Sequence, residues 1–198
     1  LDPLVNAPLL VDAHHHLWDL SQRPQPWLDD PAVASIRRTF TPDDLRATAT
    51  HPIAGRRLHG TVVVQCVTEV AETEDLLALT EREPLIQAVV GWADLTSPSI
   101  GDVLDRLIAG PGGGHLRSLR HLVQGETDPD WLQRPDVERG LVAAQERGLR
   151  YDSCCTSTPR WTASPTRAAW RRRRTAPGTS SPITAAVTGR GACCPCCR

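Results

Sequence analysis

Residues 11–20 read VDAHHHLWDL, three consecutive histidines closely preceded by an aspartate. Imidazole is the side chain best suited to moving a proton near neutral pH, and it is the commonest ligand of divalent metals. The apolar run LLVDAH (residues 9–14) predicts a β-strand that ends in this cluster. Side chains alternate faces along a strand, so Asp12, His14 and His16 share one face and Ala13 and His15 the other. At a strand end, His14 and His16 would project together, and two such imidazoles can bind one divalent ion at about 2.0–2.1 Å for zinc. His15 is left for packing or for steadying its neighbours. Asp12 can fix a ring tautomer or hold the turn. The plain alternative is a polar loop closing a strand. A run of three inside a strand-ending pattern is not an expression tag.

The elements that must carry these residues follow from periodicity. Further strands are predicted at GTVVVQCV (60–67), LIQAVVGW (85–92), HLRSLRHLV (115–123) and GLRYD (148–152). GTVVVQCV is apolar on both faces, as a buried parallel strand is. Helix signals lie between them. Thr41 and Pro42 open TPDDLRATAT; EVAETEDLLALTERE carries a broad apolar stripe; Ser99 caps SIGDVLDRLIAG; and PDVERGLVAAQERG closes at Gly148. Strand–helix alternation at this spacing predicts βα units on a parallel sheet, either open and doubly wound or closed as a (β/α)8 barrel. No glycine-rich phosphate loop follows a strand. GPGGGH (110–115) follows a helix and reads as a flexible loop.

Taken in order, these segments resemble the amidohydrolase superfamily. VDAHHHLWD is similar to its first-strand D-x-H-x-H-x-W-D signature, closest to the branch that holds sugar-lactone and pyrone-dicarboxylate lactonases. GTVVVQCV resembles the second strand ending in Gln, VVGWADL the third, LRSLRHLVQGETDPDWLQRPDVERGL the fourth strand and following helix, and GLRYD the fifth. The resemblance covers nearly all of residues 9–152. It implies an α/β fold, a (β/α)8 barrel of which this chain holds about five βα units, with chemistry at the C-terminal strand ends. It implies a hydrolase acting on a small-molecule lactone or carboxylate, with His14 and His16 as catalytic residues and metal ligands. The ion would be zinc or manganese, and a metal-free mechanism is equally compatible.

On the same map Gln65, Trp92, Asp94, Arg120 and His121 are substrate-binding candidates. Arg120 offers a planar fork to a carboxylate or lactone carbonyl, or a salt bridge to a nearby acid. Gln65 would meet substrate or close the barrel rim. Trp18 and Trp92 would wall a sugar ring or pack in the core. For His121 and Asp94, functional and structural roles stand level. Ser118 departs from the glycine usual before the Arg-His pair, and is expected to crowd that loop slightly. A decarboxylase or amidase of the same superfamily is the alternative chemistry.

Composition divides the chain at Ser153. All 23 acidic residues lie at or before Asp152, with fourteen of the 22 arginines; residues 153–198 carry eight arginines, no acid, no histidine and no leucine. Such a segment buries too little apolar surface to offset backbone entropy of roughly 1–2 kcal/mol per residue, so it is expected to be disordered. Reading codons across their present boundaries restores the missing leucines. CC yields leucine, CCPCC ends in Leu-Pro-Leu-Leu, and, with the G or C third bases that a GC-rich gene favours, TSSPIT ends in Val-Val-Ala-Asp-His. The tail is therefore expected to be a frameshift product, and residues 1–152 to be a partial barrel that is inactive and aggregation-prone. The competing reading is a non-enzymatic module whose basic, cysteine-rich tail binds zinc or nucleic acid. Neither a nucleic-acid partner nor a membrane span is expected. One cysteine before Ser153, Cys66 in an apolar strand, fits a reducing, cytoplasmic setting. The oligomeric state is open.

Overall fold

The structure, a computed structural model, describes residues 7–153. Five strands form one parallel sheet in chain order: β1 (Leu9–His15), β2 (Arg57–Val64), β3 (Ile86–Gly91), β4 (Leu116–Arg120) and β5 (Arg150–Asp152). The helices between them are α1 (Pro42–Ala49), α2 (Val70–Thr80), α3 (Ile100–Ala109) and α4 (Pro135–Glu146). Each strand pairs with the next, so the connections are successive βα crossovers of one sense. This is an α/β sheet curled into part of a (β/α)8 barrel; the alternation left an open doubly wound sheet and a closed barrel as alternatives, and the family resemblance implied the barrel. Residues 154–198 lie outside the described residues, and with them the expectations of disorder, of a frameshift and of zinc or nucleic-acid binding.

Local chemistry explains the helix boundaries. Pro42 opens α1, and the Thr41 backbone N–H donates to Asp44 Oδ2 at 2.8 Å, satisfying an end group that would otherwise lack a partner. Apolar side chains on the outer face of the sheet meet the helices. Val63, Val89 and Leu119 pack in one cluster with Leu76, Leu77, Leu104, Leu107, Val137 and Ala144. Each fully buried leucine there contributes about 1.5–3 kcal/mol.

Two expectations are corrected. The glycine-rich segment after α3 is a seated turn rather than a flexible loop. Gly112 adopts φ +67, its N–H donates to Glu81 Oε1 at 3.2 Å, and a Cβ there would lie 1.9 Å from the Leu77 carbonyl oxygen. Only glycine combines that dihedral with so close an approach. Ser118 crowds no loop either. It lies within β4, and its hydroxyl donates to the Arg150 carbonyl at 3.0 Å, stitching β4 to β5.

Candidate functional site

The first strand ends irregularly. Asp12 pairs with Thr61 and His15 with Val63, so β1 holds one residue more than β2 over that interval. Such a bulge re-aims the side chains that follow it. The Asp12 carboxylate accepts the His14 backbone N–H at 3.1 Å, so this aspartate holds the turn. His15 turns to β2, where its Nε2 lies 2.9 Å from Thr61 Oγ1. The Thr61 hydroxyl proton goes to the Leu85 carbonyl, so His15 is the donor. Burial is the main force pushing the His15 imidazole below its usual value.

His14 and His16 converge. Their Nε2 atoms are 3.1 Å apart, with the rings edge to face at 4.9 Å. His16 Nδ1 lies 2.8 Å from the Val64 carbonyl oxygen, which can only accept. A neutral His16 therefore carries its proton on Nδ1 and turns the Nε2 lone pair toward His14. Arg120, only 1% exposed, brings Nη1 to 3.4 Å from His14 Nε2. A guanidinium only donates, so this contact also favours a lone pair on His14 Nε2. The two contacts leave the Nε2 atoms of His14 and His16 as acceptors 3.1 Å apart. Tetrahedral zinc with bonds of about 2.0–2.1 Å spaces its ligand nitrogens about 3.3–3.4 Å apart, close to the spacing here. Among the described residues no third histidine, cysteine, aspartate or glutamate completes a group of three.

Gln65 belongs to the same assembly. It is fully buried, and its Nε2 donates to the Arg120 carbonyl at 3.4 Å, from the end of β2 to the end of β4. Its Oε1 is buried without a hydrogen-bond partner among the described residues.

Trp92 and His121 form a second set on the neighbouring strand ends. The Trp92 indole N–H donates to His121 Nδ1 at 3.0 Å. The His121 ring stacks on Trp131 at 4.0 Å with planes 6° apart, and its Nε2 lies 2.6 Å from Glu126 Oε1. Asp94 stands apart from both sets in its bonding. Its Oδ1 accepts the Thr96 backbone N–H at 2.9 Å and the Thr96 hydroxyl at 2.6 Å, a local turn. Trp18 packs edge to face on Trp27 and Phe40 and donates its N–H to the Arg38 carbonyl.

Three supporting residues escaped sequence reasoning. Glu72 in α2, 3% exposed, accepts the backbone N–H groups of Cys66 and Val67, each at 2.9 Å, and so fixes the chain just after Gln65. Burial pushes its carboxyl above the usual glutamate range. Thr73, one residue on, both accepts the Trp92 N–H at 2.7 Å and donates to the Trp92 carbonyl at 2.8 Å. Gly91 permits that approach, since a Cβ there would lie 2.4 Å from Thr73 Cγ2. Glu126 is the third. The one available signal was the polar pair Glu72-Thr73 in helical register with Leu76, Leu77 and Thr80.

Comparison with known proteins identifies the family of the chain. The Amidohydro_2 family profile, described as amidohydrolase, matches residues 11–188. An L-fucono-1,5-lactonase of Burkholderia ambifaria is 32% identical over 147 residues, covering 74% of this chain and 48% of that protein. One from Burkholderia multivorans is 32% identical over 146 residues, covering 73% and 46%. The chain thus spans about half the length of the curated relatives it matches. Among solved structures, an amidohydrolase from Burkholderia multivorans with bound HEPES superposes with a TM-score of 0.63 at 29% identity, over 73% of this chain and 48% of that one. A second crystal form with bound zinc gives 0.61 at 30% identity, over the same shares.

Proposed function

The chain belongs to the amidohydrolase family, and from that premise we propose that it carries one wall of a lactone-hydrolase site acting on a sugar or carboxylate lactone. The convergence of His14, His16 and Arg120 at the C-terminal ends of β1 and β4 supports this reading above any other observation. Arg120 would polarise the lactone carbonyl or hold a carboxylate with its planar fork. Gln65 Oε1 would accept a hydroxyl from the substrate. Trp92 would provide an apolar surface for the ring, and Asp94 would contribute by shaping the loop after β3.

His14 and His16 would hold a divalent ion, zinc or manganese. When bound, such an ion polarises a carbonyl and lowers the pKa of water. The zinc in a similar crystal structure supports the choice of metal. The five described strands line part of a lumen that a closed barrel completes with eight. Turnover is expected only where the rest of that wall is supplied. No helix among the described residues is long and apolar enough to cross a membrane. Cytoplasmic residence remains the reading that Cys66, buried beside the end of an apolar strand, supports.

The test is calorimetric binding of aldonolactones, including L-fucono-1,5-lactone, and of their hydroxy acids to the full chain. Saturable binding that weakens at least about tenfold in both Arg120→Ala and His14→Ala supports the proposal. Binding that ignores both substitutions, or no binding, removes it. In a parallel activity panel on a chain in which the remaining barrel strands are supplied, lactone opening lost in His14→Ala supports it, whereas turnover confined to amides or carboxylic acids assigns the site to an amidase or decarboxylase.

A further inference from the structure

His121 stands beside Arg120 on the strand end that faces the candidate site, yet both of its ring nitrogens are engaged within the chain. The neighbours fix its tautomer. Indole N–H donates and never accepts, so His121 Nδ1, 3.0 Å from Trp92 Nε1, must be the unprotonated nitrogen. The single proton of the neutral ring then sits on Nε2 and points to Glu126 Oε1 at 2.6 Å. A cationic ring would set an Nδ1–H against the indole N–H, donor against donor. The stack on Trp131, itself 4% exposed, holds the ring plane. Indole, imidazole and carboxylate thus form one directional chain of hydrogen bonds, donated from Trp92 through His121 to Glu126.

We infer that Glu126 is a positioning residue: it orients His121 as the Nε2–H tautomer, and through that ring it aims the Trp92 indole. Two consequences follow. His121 serves as neither a metal ligand nor a direct substrate contact, because no ring nitrogen is left to offer. Trp92 spends its polar atom on His121, so it presents hydrocarbon to whatever lies against it. Such a surface suits the C–H face of a sugar ring better than a second carboxylate. This narrows the substrate class to neutral, hydroxylated lactones and rests on the lactone-hydrolase reading above; the relay itself does not.

The experiment is nitrogen-15 NMR of the His121 imidazole and the Trp92 indole in the ligand-free 198-residue chain. The wild type is expected to show His121 with Nε2 protonated and Nδ1 acting as acceptor at neutral pH, and a hydrogen-bonded Trp92 indole proton. In Glu126→Ala, exchange of the ring Nε2 proton with solvent should accelerate at least about tenfold, and the Trp92 indole resonance should move toward its solvent-exposed position. Glu126→Gln keeps an acceptor oxygen and should restore both signals, which a general loss of packing would not explain. An Nδ1–H or cationic His121 in the wild type, or a Trp92 resonance indifferent to Glu126→Ala, overturns the inference. Calorimetry separates the dependent claim. If a dicarboxylate lactone binds as tightly as a neutral one while the NMR result holds, the substrate assignment falls and the relay stands. If no lactone binds, the lactone-hydrolase reading and the substrate class built on it fall, and the relay is again judged by NMR alone.

Discussion

Glu72 shows how much a single side chain outside the lumen can govern. Its carboxylate ties down two backbone N–H groups immediately after Gln65, and Arg23 is a cation whose field reaches it. Burial raises its folded-state pKa above the ordinary value of 4.5, so the folded chain keeps this proton more tightly than the unfolded chain. Folding therefore takes up a proton in the window just above 4.5, and the stability owed to this group declines as pH climbs through it. Glu72→Gln keeps an acceptor but cannot ionise. Denaturant titrations at several pH values should show the variant gaining on the wild type as pH rises from 4.5 toward neutrality. A gap that is constant with pH would argue against the assignment. Thr73→Val removes both side-chain bonds to Trp92 while keeping the shape. It should cost about 1–3 kcal/mol and broaden the Trp92 signal, read by chemical denaturation and NMR.

At the scale of elements, turns and strand ends place the chemistry. The extra residue near the end of β1 separates His15, bonded to β2, from His14 and His16, which meet each other. The turn after α3 is anchored under α2 by Gly112. Gly112→Ala must accept both a left-handed backbone and a collision with the Leu77 carbonyl. It should destabilise the chain by about 1–3 kcal/mol or more, visible as a lower melting temperature. An unchanged melting temperature would mean that the turn is not seated there. The start of α1 was legible from Thr41-Pro42, because capping is a short-range rule written in adjacent residues; Ser99 does precede α3, but its side chain makes no capping hydrogen bond. The seating of GPGGGH was not legible, because its partner Leu77 comes from another helix.

Across the whole molecule, the sheet of described residues ends at β1 on one side and β5 on the other. Leu9 and Val11 on β1 are 50% and 45% exposed, which is high for apolar residues of a parallel strand. An uncovered strand edge with apolar side chains recruits other strands. The purified 198-residue chain should therefore associate with increasing concentration, and Val11→Lys should reduce that association in sedimentation velocity. A wild-type chain that stays monomeric across the range would show that this edge is covered. Hydrolase ancestry sits comfortably with such an edge, since a closed barrel would bury it.

Alternating strands and helices, the parallel pairing and the partition of His14 and His16 from His15 were all contained in the order of residues. Each depends on periodicity or on neighbours a few positions apart. What the linear pattern could not contain is which distant groups meet. Arg120 reaches His14 across 106 positions, Gln65 reaches the Arg120 carbonyl across 55, and Glu72 closes the backbone that follows Gln65. The assignment of His121 to Glu126 and Trp92, rather than to open solvent, belongs to the same class. Those meetings follow from the curl of the sheet and the seating of α2 against it, which are properties of packing in three dimensions and leave no period in the chain.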